Sequence, residues 1–327
     1  MLLATSPTAF GETNPKQAIK KGRDLWASLL AFPGRTREHL VMGRIIADDQ
    51  LAQYRRDGFI VVPDLLRADE VARFGAAVTA GVRHRTREHT IPLEERSNYQ
   101  KSFLQCMNLW EDCPDVAPLT FHPRVCQAAA ELMEVDACRV WHDQALFKEA
   151  HGRETDPHQD HPYWPIKEVN SITAWIPFVQ STLANGALGY IPGSHAIGMR
   201  KFVNIFFGEP QNILEEPEIK DIAPVFMEVP PGSVAFHHGL TVHLAGANTT
   251  DVDRAVHTVI FFPDGSTRGY PFPHFSVDRG GIEVGQKIDS DATPIAWPRP
   301  ADQPIPPQPR VGFEVTASVA NSGAVPR

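Results

Sequence analysis

His158-Gln159-Asp160 is the one point in the 327-residue chain where a carboxylate follows a histidine by two residues. On an extended strand, positions i and i+2 share a face, so both side chains can meet a single ion. Alone, the triplet reads equally well as a hydrogen-bonded histidine beside a solvated aspartate. A second group, His237, His238 and His243, follows the turn Pro230-Pro231-Gly232-Ser233 about eighty residues downstream. His237 and His238 are adjacent, so on a strand they face opposite ways. Beyond them, Arg254 heads the apolar run Ala255-Val256-His257-Thr258-Val259-Ile260. A charge at the head of a buried strand is costly unless an anion meets it; a plain strand-edge arginine is the alternative. Together these residues fit two histidines and one carboxylate around a non-haem Fe(II), a set that leaves coordination positions open. Such a ferrous centre keeps a net positive charge and suits a dianionic co-substrate such as 2-oxoglutarate. The 2-oxo acid end would chelate the metal, and a guanidinium would hold the far carboxylate by a bidentate pair. Arg254 is the candidate for that grip.

Strands have to hold these side chains. From Arg139 onward, short apolar or alternating runs recur at Val140 to Phe147, Ser171 to Val179, Leu188 to Ile191, Ser233 to Phe236 and Ala255 to Phe262. Turn signals separate them, among them Ala184-Asn185-Gly186, Pro192-Gly193-Ser194 and Pro263-Asp264-Gly265. The pattern predicts a mainly β fold with flanking helices, a sandwich or double-sheet jelly roll rather than a βαβ fold. Upstream, Asp48-Asp49 caps a helix carrying Leu51 and Tyr54, with Gly58 at its C′ end. Phe59 to Val62 then forms a short buried strand. Asp69 starts a second helix with Val71, Phe74 and Val78 at helical spacing, and another covers Val125 to Met133. Residues 1–45 read as a leader with an amphipathic helix over Lys16 to Leu30. Residues 46–297 form the domain that carries the motifs, and 298–327, rich in Pro, Ala and Ser, a disordered or surface-draped tail.

Composition narrows the function classes. The net charge is −8, which argues against a nucleic-acid binder with its usual basic face. No apolar run approaches the ~18 residues of a membrane helix. Proline makes up 29 of 327 residues, nearly twice the usual ~5%, which fits a loop-rich, β-containing fold better than a helical bundle. Cys106, Cys113, Cys126 and Cys138 include no C-x-x-C pair, so neither a structural zinc site nor a disulfide framework is expected. The start, Met1-Leu2-Leu3-Ala4 broken at Pro7, does not read as a signal peptide, and a cytoplasmic setting is expected.

The blocks around these residues resemble the phytanoyl-CoA dioxygenase family. His158-Gln159-Asp160-His161-Pro162-Tyr163-Trp164-Pro165 is similar to its H-x-D-x-x-Y-x-P stretch. Asn185-Gly186-Ala187-Leu188-Gly189-Tyr190-Ile191-Pro192-Gly193-Ser194-His195 resembles its N-G-x-L-x-x-x-P-G-S-H turn. Phe236 to His243, then Asn248 and Arg254, match its distal histidine and arginine segment, and Asp57-Gly58-Phe59 to Pro63 looks like its entry strand. The blocks keep family order over about Asp48 to Gly265. The resemblance implies a double-stranded β-helix, a jelly roll of the cupin type. It also implies an Fe(II)- and 2-oxoglutarate-dependent dioxygenase that uses O2 to hydroxylate an unactivated C–H, releasing succinate and CO2. His158, Asp160 and His243 would be the iron ligands and Arg254 the co-substrate anchor, with Trp175 and Gln144 lining the co-substrate. Asp160 favours hydroxylation, or a related desaturation or cyclisation, over halogenation, which needs that carboxylate gone. One departure is Ala245, where some relatives carry a hydroxyl that contacts 2-oxoglutarate.

Tyr163, Phe103 and His142 are candidate substrate contacts, since Phe103, Gln105 and Met107 alternate and His142 shares a side with Gln144. Core packing is the equal alternative for the Phe103 series. Tyr163, Trp164 and Phe178 point to an apolar, small-to-medium substrate, with acyl-CoA, amino-acid derivative and natural-product intermediate all left open. His195 reads as a turn-fixing hydrogen bonder. Arg83-His84-Arg85-Thr86-Arg87 reads as a solvated helix end sooner than as a grip on an anionic substrate. Two other functions compete: a cupin-type zinc hydrolase or isomerase using the same ligands, and a metal-free jelly-roll binding protein. The expected partner is a small molecule, with no nucleic acid or membrane; the oligomeric state is left open.

Overall fold

The computed structural model describes residues 43–205 and 212–303; the expected helix over Lys16 to Leu30 and the chain beyond residue 303 lie outside them. Helix α1 (Asp48–Asp57) leads into β1 (Phe59–Val62), and α2 (Ala68–Thr86) follows. Next come α3 (Asn98–Ser102), β2 (Leu104–Met107), α4 (Leu109–Asp112), α5 (Ala117–Thr120) and α6 (Pro123–Met133). The strands β3 (Cys138–Lys148), β4 (Thr155–His158), β5 (Ile172–Pro177), β6 (Leu188–Tyr190), β7 (Val225–Met227), β8 (Val234–His238), β9 (His243–Ala245) and β10 (Arg254–Pro263) then run in sequence. Helix α7 (Phe275–Asp278) and β11 (Ile295–Trp297) close the described chain.

The helix starts differ slightly from expectation. Ala47 and Arg67 are the N-caps, and Asp48, Asp49, Asp69 and Glu70 sit in the first turns, where their charge meets the positive end of the helix. Gly58 does end α1, with φ 81°, a left-handed conformation open to glycine. A Cβ there would stand 2.3 Å from the His195 ring and 2.6 Å from Thr241 Oγ1.

Two antiparallel sheets form the expected double-stranded β-helix. The large sheet runs β1-β8-β5-β10-β3-β11, with β2 also paired to β3; the small sheet runs β4-β9-β6-β7. Strand alternation divides each strand of the large sheet between two environments. Ile172, Ala174 and Ile176 of β5 pack outward into a core with Phe74, Val78 and Val82 of α2 and Val125, Ala129 and Leu132 of α6. Thr173 and Trp175 of the same strand turn inward, to the cavity between the sheets. Phe59 of β1 stacks on Tyr190 of β6 with ring centroids 4.4 Å apart, tying the two sheets together at one end of that interior. Among the described residues, no helix is long and apolar enough to cross a membrane.

Candidate active site

His158 ends β4 and His243 begins β9, and the two are direct cross-strand partners in the small sheet. Opposed residues of an antiparallel pair stand close enough for their side chains to meet, and here the ring centroids are 4.3 Å apart. Each ring is turned the same way by its own backbone. His158 Nδ1 lies 2.8 Å from the Asp156 carbonyl and His243 Nδ1 3.0 Å from the Thr241 carbonyl. An Nδ1–H donated to each carbonyl leaves both Nε2 lone pairs aimed inward.

Asp160 is not on the strand, as the i, i+2 reasoning supposed. It lies past the end of β4 in a helical conformation, at the start of a single 3₁₀ turn over His161–Tyr163. Its Oδ1 comes within 3.7 Å of His158 Nε2 and 3.6 Å of His243 Nε2. These separations are too long for hydrogen bonds but suit donors placed around one ion at metal–ligand bonds of about 2.0–2.2 Å. The three donor atoms all lie within 4.8 Å of one another. Asp160 Oδ2 is occupied by the large sheet: Thr173 Oγ1 donates to it at 2.8 Å and His237 Nε2 at 3.1 Å. With that tautomer, His237 Nδ1 accepts from the Tyr190 hydroxyl at 3.2 Å. The carboxylate therefore presents one oxygen to the ion while the other is fixed.

Protonation is preset for metal binding. Burial pulls His158 and His243 down to about 4, so both imidazoles are neutral at neutral pH. Burial pushes the Asp160 carboxyl up, but His243, His237 and His158 around it outweigh that effect and hold it well below the usual carboxylate range. Two neutral imidazoles and one carboxylate thus fit a divalent cation without first losing a proton.

Arg254, on β10 of the large sheet, lines the same cavity as these donors and is buried. Its guanidinium donates to the Gly186 carbonyl and lies over the Trp175 ring, 5.1 Å from the centroid. Its Nε has no hydrogen-bond partner, and no carboxylate pairs with it among the described residues. Burial lowers its pKa to about 9. Gly186, at φ 86°, is required at this turn because a Cβ would fall 2.6 Å from the Gly246 carbonyl oxygen and 2.7 Å from Lys148 Cδ. The Asn248 side chain donates to the carbonyls of Lys148, Glu149 and Val252, which braces the loop leading into β10.

Lys148 was missed by sequence reasoning. Strand register sets it directly opposite Arg254, it is fully buried, and burial together with Arg254 pulls its ammonium down to about 6. Its signal was the one used for Arg254, a cation at the end of an apolar strand.

The remaining candidates separate into cavity and scaffold. Gln144, Trp175, His142, Tyr163, Trp164, Phe103, Gln105 and Met107 all line the cavity, so the Phe103 series faces the site. Gln144 is steered by a relay in which Tyr99 donates to Gln105 Oε1 and Gln105 donates to Gln144 Oε1. Ala245 lines the cavity too, and the hydroxyl residues Thr155, on the small sheet, and Thr258, on the large one, line it as well. Phe178 belongs elsewhere: it packs on the helix side, where a Cβ on Gly75 of α2 would stand 3.2 Å from its ring. His161 is a buried structural residue, bonded to Ser171 Oγ and the Ile166 carbonyl. His238 turns away from Asp160 toward His195, with ring centroids 5.5 Å apart. In the basic run, Arg85 is not solvated; it is held by Asp112 and by the carbonyls of Met107 and Asn108. Gln159, between two ligand residues, points outward and clamps the Leu240 and Gly198 carbonyls and the Arg200 amide. His274 also lines the cavity, and nothing in its local sequence marked it.

Comparison with known proteins agrees with this geometry. The family pattern described as Phytanoyl-CoA dioxygenase (PhyH) matches residues 54–256. Phytanoyl-CoA dioxygenase domain-containing protein 1 of Bos taurus is 29% identical over 170 residues, covering 46% of this chain and 58% of that protein, so the match spans little more than half of the bovine relative. Ectoine dioxygenase of Bordetella parapertussis is 25% identical over 237 residues, covering 64% of this chain and 73% of that protein. In structure, the non-heme alpha ketoglutarate dependent carbocyclase SnoK from nogalamycin biosynthesis aligns with a TM-score of 0.65 and 24% identity, over 76% of this chain and 96% of that one. The matched segment contains His158, Asp160, His243 and Arg254, and the chain belongs to the phytanoyl-CoA dioxygenase family.

Proposed function

We propose that the protein is an Fe(II)- and 2-oxoglutarate-dependent dioxygenase that hydroxylates an unactivated C–H of a small-to-medium organic molecule, with residues 46–297 as its oxygenase domain. The observation that carries this reading is one cavity holding both a ready-made two-histidine, one-carboxylate donor set and a buried arginine without an acidic partner. A zinc hydrolase or isomerase on the same ligands leaves that arginine unexplained. The family membership and the names of its relatives support the same reaction class.

In this reading His158, Asp160 and His243 hold the iron. Bound iron and 2-oxoglutarate together supply the activation of O2, with succinate and CO2 released and one oxygen atom going into the substrate. Thr173 and His237 keep Asp160 Oδ2 occupied, so its orientation does not drift as ligands exchange at the open positions. Arg254 receives the far carboxylate of 2-oxoglutarate. A buried guanidinium facing an equally buried dianion recovers by pairing what each loses in desolvation. Trp175, Leu188 and Ala245 form an apolar wall along that path and exclude water from it. The four cysteines are unpaired, which supports a reducing, cytoplasmic setting.

The test is succinate release in the presence of Fe(II), 2-oxoglutarate and O2, screened over candidate organic molecules. A substrate-stimulated rate that Asp160→Ala abolishes is the expected result. Succinate formation that persists unchanged in Asp160→Ala would overturn the assignment.

A further inference from the structure

The cavity continues beyond the ligand cluster on the side away from Arg254. Along β3, Lys148 lies opposite Arg254, whereas His142 lies opposite Ile260, the β10 residue that also faces Thr173. At a rise of about 3.3 Å per residue, His142 is about 20 Å along the strand from Lys148. Thr173 is the residue that holds Asp160, so His142 is level with the ion site, and the side chains around it form the end left for a substrate.

That end is aromatic, polar and uncharged. His142 meets Trp164 edge-on at 6.3 Å and His274 in a stacked arrangement at 6.0 Å. His274 also stacks with Trp141, at 4.6 Å, and with Phe275, at 4.4 Å. His142, His274, Trp164 and Tyr163 all line the cavity. The His274 tautomer is set by its neighbour: Nδ1 accepts from the Ser276 amide at 3.2 Å, so the ring proton is on Nε2. Among the described residues Nε2 has no hydrogen-bond partner, and the ring lines the cavity, so it offers a donor to whatever fills the space. His142 is 3% exposed and its Nδ1 also has no partner. Burial pulls His142 down to about 4 and His274 well below its usual value, so both rings are neutral at neutral pH. The only Asp, Glu, Lys or Arg side chains lining the cavity among the described residues are Asp160 and Arg254, both already assigned. A carboxylate, phosphate or ammonium brought to the His142 end would be desolvated without a counter-charge.

We propose that this end of the cavity binds an uncharged, flat, ring-bearing molecule through an oxygen acceptor, such as a ketone carbonyl, that takes a hydrogen bond from His274 Nε2–H beside His142. The inference rests on the dioxygenase reading and deepens it by naming the substrate class. It sets charged amino-acid derivatives and acyl-CoA headgroups outside the pocket.

The experiment uses the full chain loaded anaerobically with Fe(II) and saturating 2-oxoglutarate, with the visible absorbance of the ferrous 2-oxoglutarate chelate recorded throughout. Three probes of matched ring system are titrated by ligand-observed NMR: 1-tetralone, 1-naphthoate and 1-naphthylmethylammonium. Tetralone is expected to bind at least about tenfold more tightly than either charged probe. His274→Phe, which keeps the stacking surface, is expected to weaken tetralone about three- to tenfold, as loss of one hydrogen bond does, while 2-oxoglutarate affinity stays within about twofold. Tetralin, the same ring system without the carbonyl, is the second comparison: it is expected to bind the unsubstituted protein about three- to tenfold more weakly than tetralone, equal binding overturns the proposal, and this comparison carries the test if His274→Phe does not retain the chelate absorbance. A charged probe that binds as tightly as tetralone overturns the proposal. So does undetectable tetralone binding, or tetralone affinity unchanged in a His274→Phe variant that retains the chelate. Absence of the chelate absorbance in the unsubstituted protein is a different result: it overturns the dioxygenase reading and the substrate class with it.

Discussion

Arg254→Met separates a residue kept for the fold from one kept for a ligand. In the protein without co-substrate the guanidinium is buried, and its pKa falls from 12.5 to about 9. At about 1.4 kcal/mol per tenfold change, that is on the order of 5 kcal/mol set against the charged form. The compensation is small: one hydrogen bond to the Gly186 carbonyl, about 1.5–3 kcal/mol for a charged donor, and the Trp175 ring face, about 1 kcal/mol. Methionine fills similar space without a charge, so the substitution should stabilise the unliganded protein by about 1–2 kcal/mol and raise Tm by a few degrees. With Fe(II) and 2-oxoglutarate at about 100 times Kd, the unsubstituted protein gains about 2.7 kcal/mol. The variant, lacking the partner of the far carboxylate, should bind 2-oxoglutarate at least about 30-fold more weakly, from a charge-pair loss of 2 kcal/mol or more. At that concentration the variant gains only about 0.9 kcal/mol, so anaerobic thermal denaturation of both proteins should show the variant's lead without 2-oxoglutarate shrinking to about zero when it is added. A variant that is less stable without ligand, or that keeps the full 2-oxoglutarate-dependent rise, would refute the assignment of Arg254.

Three further outcomes follow from the same geometry. His237→Phe leaves all three proposed metal ligands in place but removes one of the two donors to Asp160 Oδ2, with Thr173 the other, so Fe(II) affinity measured by anaerobic calorimetry should fall about 10- to 100-fold; an unchanged affinity would mean that His237 does not orient the carboxylate. The buried rings of His142, His158, His161, His195 and His243 are each pulled down to about 4, against about 6.5 when unfolded. The unfolded state therefore binds more protons between those values, and urea-melt stability of the metal-free protein should be full above pH 6.5 and fall steadily toward pH 4; a flat profile over that window contradicts the burial argument. Asp143→Ala removes a fully buried carboxylate that accepts from the Leu109 and Trp110 amides and from Thr120 Oγ1. It should cost about 3–5 kcal/mol in chemical denaturation while the folded fraction binds Fe(II) normally, since Asp143 faces the helices rather than the cavity.

The sheets could be read from the chain because alternation is a local property. Ile172, Ala174 and Ile176 against Thr173 and Trp175 already state which face meets the helices and which the cavity. Arg254 could be read because a charge at the head of an apolar strand needs an explanation. Asp160 is the opposite case: it joins the donor set from a 3₁₀ turn, and the pairing that matters, His158 opposite His243, joins residues 85 positions apart. Nor does spacing separate His243 from His237. The two ring centroids are 4.4 Å apart, but one arrives on the small sheet as a proposed ligand and the other on the large sheet as the anchor of Asp160. His274 enters the cavity from a segment outside the recognisable motifs, where stacking on Trp141 fixes it. Phe178 was assigned to the wrong face, although its even-numbered position shares the helix side with Ala174 and Ile176. These gaps share one cause: contacts between sheets depend on how the strands curl, which no short window of sequence specifies.

The most direct measurement is a crystal structure of the protein soaked anaerobically with Fe(II) and 2-oxoglutarate, with anomalous scattering recorded at the iron edge. One iron bounded by His158 Nε2, Asp160 Oδ1 and His243 Nε2, chelated by 2-oxoglutarate whose far carboxylate rests on Arg254, is the predicted result. An empty triad under saturating iron, or a co-substrate carboxylate directed away from Arg254, would contradict it.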